Sequence, residues 1–189
     1  MLTYTDLKKG TQLVRDGDPY EVVDSNFLRM QQRKAVVQTK IRNLRTGKLY
    51  DVSFRASDEL EEAELEKRPL IFLYSHRAEF IFADPKDRGS RFSLLQEIVG
   101  DKQRWLKPDT EVTALFFKDK IINFSLPVKI DFTVTEAPPG VQGDRSQSGT
   151  KTVRVETGAT IQAPLFINQG DVIRVNTETG EYAERVEKR

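Results

Sequence analysis

Between Ser25 and Tyr50 the chain carries seven bases, Arg29, Arg33, Lys34, Lys40, Arg42, Arg45 and Lys48, and no acid. Lysine and arginine at this density neutralise phosphates and release counterions, which is the chemistry of holding a nucleic-acid backbone rather than of breaking a bond. The whole-chain balance hides the feature, because 30 Lys and Arg stand against 29 Asp and Glu for a net charge of +1. Steering depends on where charge lies more than on its sum. Just downstream, Asp58, Glu59, Glu61, Glu62, Glu64 and Glu66 form an acidic run with no base among them. That run reads as a solvated surface segment, either the last edge of a first domain or its linker.

Catalytic groups are sparse. There is one histidine, His76, and no cysteine. No Gly-x-x-x-x-Gly-Lys-Ser/Thr loop and no metal-ligand spacing occurs. A general base needs a nucleophile or an orienting partner, so His76 reads as a turn or surface residue. No catalytic residue, metal or cofactor is expected, and a hydrolase is the remote reading. Hydrophobic content of 38% with 31% charge is ordinary for a soluble globular chain. No apolar run approaches the 20 or so residues of a membrane span, and the start, Met1 to Asp6, lacks the basic and apolar regions of an export signal. With no cysteine to oxidise, a cytoplasmic protein without a membrane partner is expected.

The elements that must position the basic residues are short strands separated by turn chemistry, the rhythm of small β barrels. Leu13 to Arg15 and Tyr20 to Val23 flank Asp16-Gly17-Asp18-Pro19, where Gly supplies positive φ and Pro fixes a turn. Ala35 to Leu44 and Leu49 to Arg55 flank Arg45-Thr46-Gly47-Lys48 as a second hairpin. On its first arm Gln38, Lys40 and Arg42 share one face, while Val37, Thr39 and Ile41 share the other. Further strands are expected at 71–74, 80–82, 111–117, 120–125, 130–135, 152–156, 160–167, 172–176 and 182–186. Ser93 to Val99 reads as a short helix capped by Ser93, with Leu94, Leu95 and Ile98 at helical spacing. The loop 137–151, rich in Pro, Gly, Ser and Gln, should be exposed. Three small β units, end to end, are the economical reading, with limits at 1–66, 67–128 and 129–189. On this evidence alone the chain is a generic RNA binder built from OB-like barrels.

Specific residues carry the reading further. Ser25-Asn26-Phe27 and Lys40-Ile41-Arg42-Asn43-Leu44-Arg45-Thr46-Gly47 resemble the tip-flanking strands and turn of the bacterial elongation factor P family. Phe72-Leu73-Tyr74, Glu79-Phe80-Ile81-Phe82 and Trp105-Leu106 resemble its second domain. Pro139-Gly140-Val141-Gln142-Gly143-Asp144, Thr157-Gly158-Ala159, Pro164-Leu165-Phe166-Ile167, Gly170-Asp171-Val172-Ile173-Arg174-Val175 and Thr179-Gly180-Glu181-Tyr182 resemble its third. The resemblance implies a mostly β chain, a KOW-type SH3-like domain followed by two OB-fold domains in an L-shaped, tRNA-like arrangement. It implies a monomeric, non-enzymatic factor, without cofactor or nucleotide. Such a factor binds both ribosomal subunits and rRNA between the peptidyl-tRNA and exit-tRNA positions and speeds peptide-bond formation at polyproline stalls.

By the same resemblance the tip that reaches the peptidyl-transferase centre is Arg29-Met30-Gln31-Gln32-Arg33-Lys34, and the strand face carrying Lys40 and Arg42 is expected, from its charge, to line tRNA or rRNA. The loop Gly143, Asp144, Arg145, Ser146, Gln147, Ser148 and Gly149 faces the exit-site codon on the small subunit. The tip departs from the family's Lys-Pro-Gly-Lys/Arg-Gly pattern. Counting without gaps from Ser25 to Lys40 puts Gln32 where the family carries an enzymatically extended Lys or Arg. A glutamine amide cannot take that modification, so Gln32 is expected to act as it stands, donating and accepting hydrogen bonds. In a shifted register Arg33 or Lys34 occupies the apex and is modified instead; a third reading is a degraded tip and a weak factor. Ala137-Pro138-Pro139-Gly140 is itself a run of the kind such a factor relieves.

Overall fold

A computed structural model describes residues 2–28, 36–139 and 149–188. The chain is mostly β, and it divides into two compact units, 1–68 with 114–124, and 69–113 with 125–189.

The strands in chain order are β1 (Gln12–Arg15), β2 (Asp18–Leu28), β3 (Val36–Asn43), β4 (Leu49–Arg55), β5 (Glu61–Glu62), β6 (Leu65–His76), β7 (Glu79–Ala83) and β8 (Arg91–Leu95). A single helical turn, α1 (Gln96–Val99), and a 3-10 helix at Gly100–Trp105 precede β9 (Glu111–Phe117) and β10 (Lys120–Ser125). The chain ends with β11 (Lys129–Glu136), β12 (Thr150–Val155), β13 (Thr160–Pro164), β14 (Val172–Asn176) and β15 (Tyr182–Glu187). Three five-stranded sheets result, in the orders β4-β3-β2-β1-β5, β10-β9-β6-β7-β8 and β13-β12-β11-β14-β15.

In the first unit, Leu7, Leu13, Tyr20, Val22, Val37, Ile41, Phe54 and Leu60 bury one face of the first sheet. The β1–β2 turn is shorter than its sequence suggests. Asp16 and Gly17 alone make it, at φ 52° and 83°, and Pro19 lies within β2 opposite Val14. Pro is tolerated there because it sits at the second residue of the strand, where its missing N–H costs little pairing. At the β3–β4 turn the buried Asn43 accepts from the Arg45 and Thr46 amides, both at 2.9 Å, and Gly47 takes φ 75°. The acidic run is partly strand: β5 pairs with β1, and β6 starts at Leu65.

In the second unit the helix expected at 93–99 is only its last four residues. Ser93 lies in β8 opposite Ile81, and Leu94 opposite Phe80. Of the apolar residues that suggested helical spacing, Leu94 and Leu95 are set by strand alternation instead, one buried and the other exposed, and Ile98 alone lies in α1. Leu95, not Ser93, occupies the cap position, without a side-chain capping bond. The strand expected at 160–167 stops at Pro164, after which Ile167 turns back into the core, its amide donating to the Pro164 carbonyl at 3.1 Å. Trp105, 3% exposed, belongs to the core formed by Ile130, Phe132, Val134, Val153, Val155, Ile173 and Val175, with its ring 5.8 Å from that of Phe132.

Candidate nucleic-acid interface

β3 alternates as its sequence dictates. Val37, Thr39 and Ile41 are buried, at 3%, 4% and 0% exposed, while Gln38, Lys40 and Arg42 are on the solvent side. The hydroxyl of Thr39 is satisfied by the Val52 carbonyl at 2.9 Å, which lets a polar residue sit on the inner face without an orphaned donor. The two arms are paired up to Leu28 opposite Val36, so residues 29–35 connect strand ends that are already in register.

The charge of this face differs from its one-dimensional count. Lys40 lies opposite Asp24 on β2 and Asp51 on β4. Arg42 lies opposite Glu21 and donates to its carboxylate at 2.7 Å. The turn end of the face is thus balanced by acids that β2 and β4 bring in. Toward residues 29–35 the paired positions carry no acid: Gln38 lies opposite Asn26 and Ser53, and Val36 opposite Leu28 and Arg55. Pairing partners 11 to 21 residues away in sequence are invisible to a scan for acids along the chain, although the hairpin turns hold the signal in principle. A second feature missed in the sequence is Phe27, 42% exposed, whose ring stacks on Tyr4 with centroids 6.0 Å apart.

The tip residues Arg29, Met30, Gln31, Gln32, Arg33 and Lys34 lie outside the described residues, as do Gly143, Asp144, Arg145 and Ser146. Gly149 is described, at φ 46°, and its carbonyl accepts from the Leu165 amide at 3.3 Å. His76 ends β6 opposite Glu79 and is exposed. Among the described residues there is no group of three or more His, Cys, Asp or Glu able to hold a metal ion, and no helix is long and apolar enough to cross a membrane.

Comparison with known proteins accounts for nearly the whole chain. Residues 3–60 match the family model of the elongation factor P KOW-like domain, 65–124 its OB domain, and 130–185 its C-terminal domain. Elongation factor P of Desulfotalea psychrophila is 38% identical over 188 residues, covering 100% of both chains. That of Mycobacterium avium is 38% identical over 186 residues, covering 98% of this chain and 99% of the relative. Among solved structures, a translation initiation factor 5A from Methanococcus jannaschii aligns with a TM-score of 0.53 at 16% identity, over 66% of this chain and 92% of its own. At that identity the likeness speaks for the fold alone. The end-to-end match in order and length with elongation factors at this identity shows that the chain belongs to the elongation factor P family and serves translation elongation.

Proposed function

We propose that this chain binds the ribosome in the cytoplasm as a monomer, between the peptidyl-tRNA and exit-tRNA positions, and stimulates peptide-bond formation at polyproline stalls without being an enzyme itself. Its functional domains in this reading are 1–66, 67–128 and 129–189. Residues 29–34 approach the peptidyl-transferase centre, Lys40 and Arg42 meet tRNA or rRNA, and the loop containing Gly143, Asp144, Arg145, Ser146 and Gly149 meets the small subunit.

The observation that carries the proposal is the β2–β3 hairpin. Two arms of 11 and 8 residues, paired to Leu28 and Val36 and anchored by the buried Val22, Val37, Thr39 and Ile41, give residues 29–35 a rigid base. Proline reacts slowly because its ring restricts approach, so the deficit is one of geometry. Fixing the CCA end in a reactive pose reduces the entropic part of the barrier, an effect worth up to roughly 7–11 kcal/mol in ideal cases. Such work needs hydrogen bonds and position and no proton transfer. An unmodified Gln32 amide can supply both a donor and an acceptor.

The test is polyproline synthesis in a reconstituted translation system. Protein carrying no adduct on its tip peptide, as read by intact mass, is expected to raise the yield, and Gln32→Ala to lose most of that gain. Activity restored only by an adduct on Arg33 or Lys34 would move the apex to those residues. Equal affinity for free RNA and for ribosomes carrying peptidyl-tRNA, with no effect on synthesis, would reduce the protein to a generic RNA binder.

A further inference from the structure

Three surface grooves differ in what they can hold. In the first unit, a groove of about 1000 Å³ is walled by Glu59, Glu61, Glu62, Glu64, Glu66 and Asp119, which repel a polyanion. In the second unit, one of about 640 Å³ mixes Asp109, Glu111 and Asp131 with Lys107 and Arg174. The other groove there, about 670 Å³, is lined by Phe72, Tyr74 and Phe80, by Gln103 and Arg104, and by Thr157, and none of the described residues lining it is an acid.

Its side chains are positioned by the fold. The register slips between Phe72 and Tyr74, a bulge that re-aims the strand's side chains. Phe72 stays buried with its ring 5.9 Å from Phe80, whereas Tyr74 is 45% exposed and its hydroxyl accepts from Arg91 Nη1 at 3.3 Å. The Arg104 guanidinium lies 4.7 Å from the Trp105 ring centroid. Gly180 lies beside it, where a Cβ would stand in ordinary contact at 3.7 Å from Arg104 Nη2. The Thr157 hydroxyl is shut from solvent with no hydrogen-bond partner among the described residues, and Thr157 lines the groove.

An exposed aromatic face beside two guanidinium groups, a side-chain amide and an unused hydroxyl is the chemistry that recognises an unstacked base with its phosphate. We infer that this groove binds a single unpaired nucleobase of RNA. The base stacks on Tyr74, Gln103 and Thr157 meet its edge, and Arg104 and Arg91 meet the adjoining phosphates. The inference stands apart from the tip reading, because every residue it uses lies in the second unit and none lies on the β2–β3 hairpin.

The experiment is an amide NMR titration of the full-length protein with hexauridylate, with a duplex RNA and free tyrosinamide as comparison probes. Shifts are expected to cluster at Phe72 to Ser75, Gln103 to Leu106 and Thr157 to Ala159. Affinity read from those peaks should fall about tenfold in Tyr74→Ala, the scale of one lost base–aromatic stack, and in Arg104→Gln it should fall while its salt dependence flattens. Tyr74 is exposed, so the rest of the variant's spectrum should remain in place and certify its fold. Shifts confined to residues 21–55, unchanged affinity in Tyr74→Ala, or an equal response to tyrosinamide would each overturn the assignment.

Discussion

Arg42 and Glu21 are joined across the first hairpin at 2.7 Å, with side chains 49% and 29% exposed. The pair sits on the face that the sequence marks as purely basic. An exposed pair of this kind contributes at most about 1 kcal/mol to stability, so its larger effect is on the field that a polyanion meets. Glu21→Gln should leave thermal unfolding nearly unchanged and strengthen RNA binding at low salt. Arg42→Gln should weaken it and reduce the slope of log affinity against log salt by about one. Fluorescence anisotropy at several salt concentrations reads both, and equal slopes for all three proteins would remove Arg42 from the interface.

This face also marks the limit of what the sequence discloses. The alternation of Val37, Thr39 and Ile41 against Gln38, Lys40 and Arg42 is a property of the strand itself and follows from the order of the residues. The acids opposite Lys40 and Arg42 come from β2 and β4, and their positions follow from register, which a bulge between Val22 and Asp24 shifts by one residue. Similarly, Ser93 to Val99 satisfies both a helical and an alternating pattern over so few residues, and pairing with β7 makes Ser93 to Leu95 strand and leaves only Gln96 to Val99 to the helix. Trp105 could be marked as a core residue from its type, whereas its partners, 25 and more residues further along the chain, could not be named.

Trp105 gives the sharpest stability prediction. It lies in the 3-10 helix at Gly100–Trp105 and fills the core around Phe132, so truncation leaves a cavity lined by residues of β11, β12 and β14. Trp105→Ala should cost about 3–5 kcal/mol, and Trp105→Phe distinctly less, because part of the volume is retained. Denaturant titration followed by circular dichroism measures both. A loss below about 1 kcal/mol for the alanine variant would show that the third sheet does not depend on this segment.

Asp131 predicts an acid limb. It accepts from Arg174 Nε at 2.7 Å and Nη2 at 3.0 Å, and those hydrogen bonds hold its carboxyl below the ordinary value of 3.8. The same pairing, helped by Glu184, raises Arg174. With the folded value below the unfolded one, the contribution of Asp131 is fully present above the unfolded value and is lost as pH falls through the folded one. Stability should therefore decline below about pH 4, the unfolded range of an aspartate. Asp131→Asn should be weaker near neutrality and show a shallower decline in acid. Parallel curves for the two proteins from pH 6 to 3 would assign the acid limb to other carboxylates.

The last prediction concerns the synthesis of the protein itself. Its message encodes Ala137-Pro138-Pro139-Gly140, so each copy must pass two consecutive prolines before β12 to β15 can be made. If the protein relieves such runs, ribosomes translating its own message in a system lacking it should pause with the Pro139 codon in the peptidyl site, and added protein should clear the pause. Toeprinting in a reconstituted system locates the pause to the codon, and a message carrying Pro138→Ala should not pause at all. A separate message with a longer proline run serves as the reference for activity. Relief of the reference without any pause on the native message would leave the proposed function standing and remove the self-dependence. A pause on both messages that added protein fails to clear would instead count against the proposed function, because the substrate stall would be present and the factor idle.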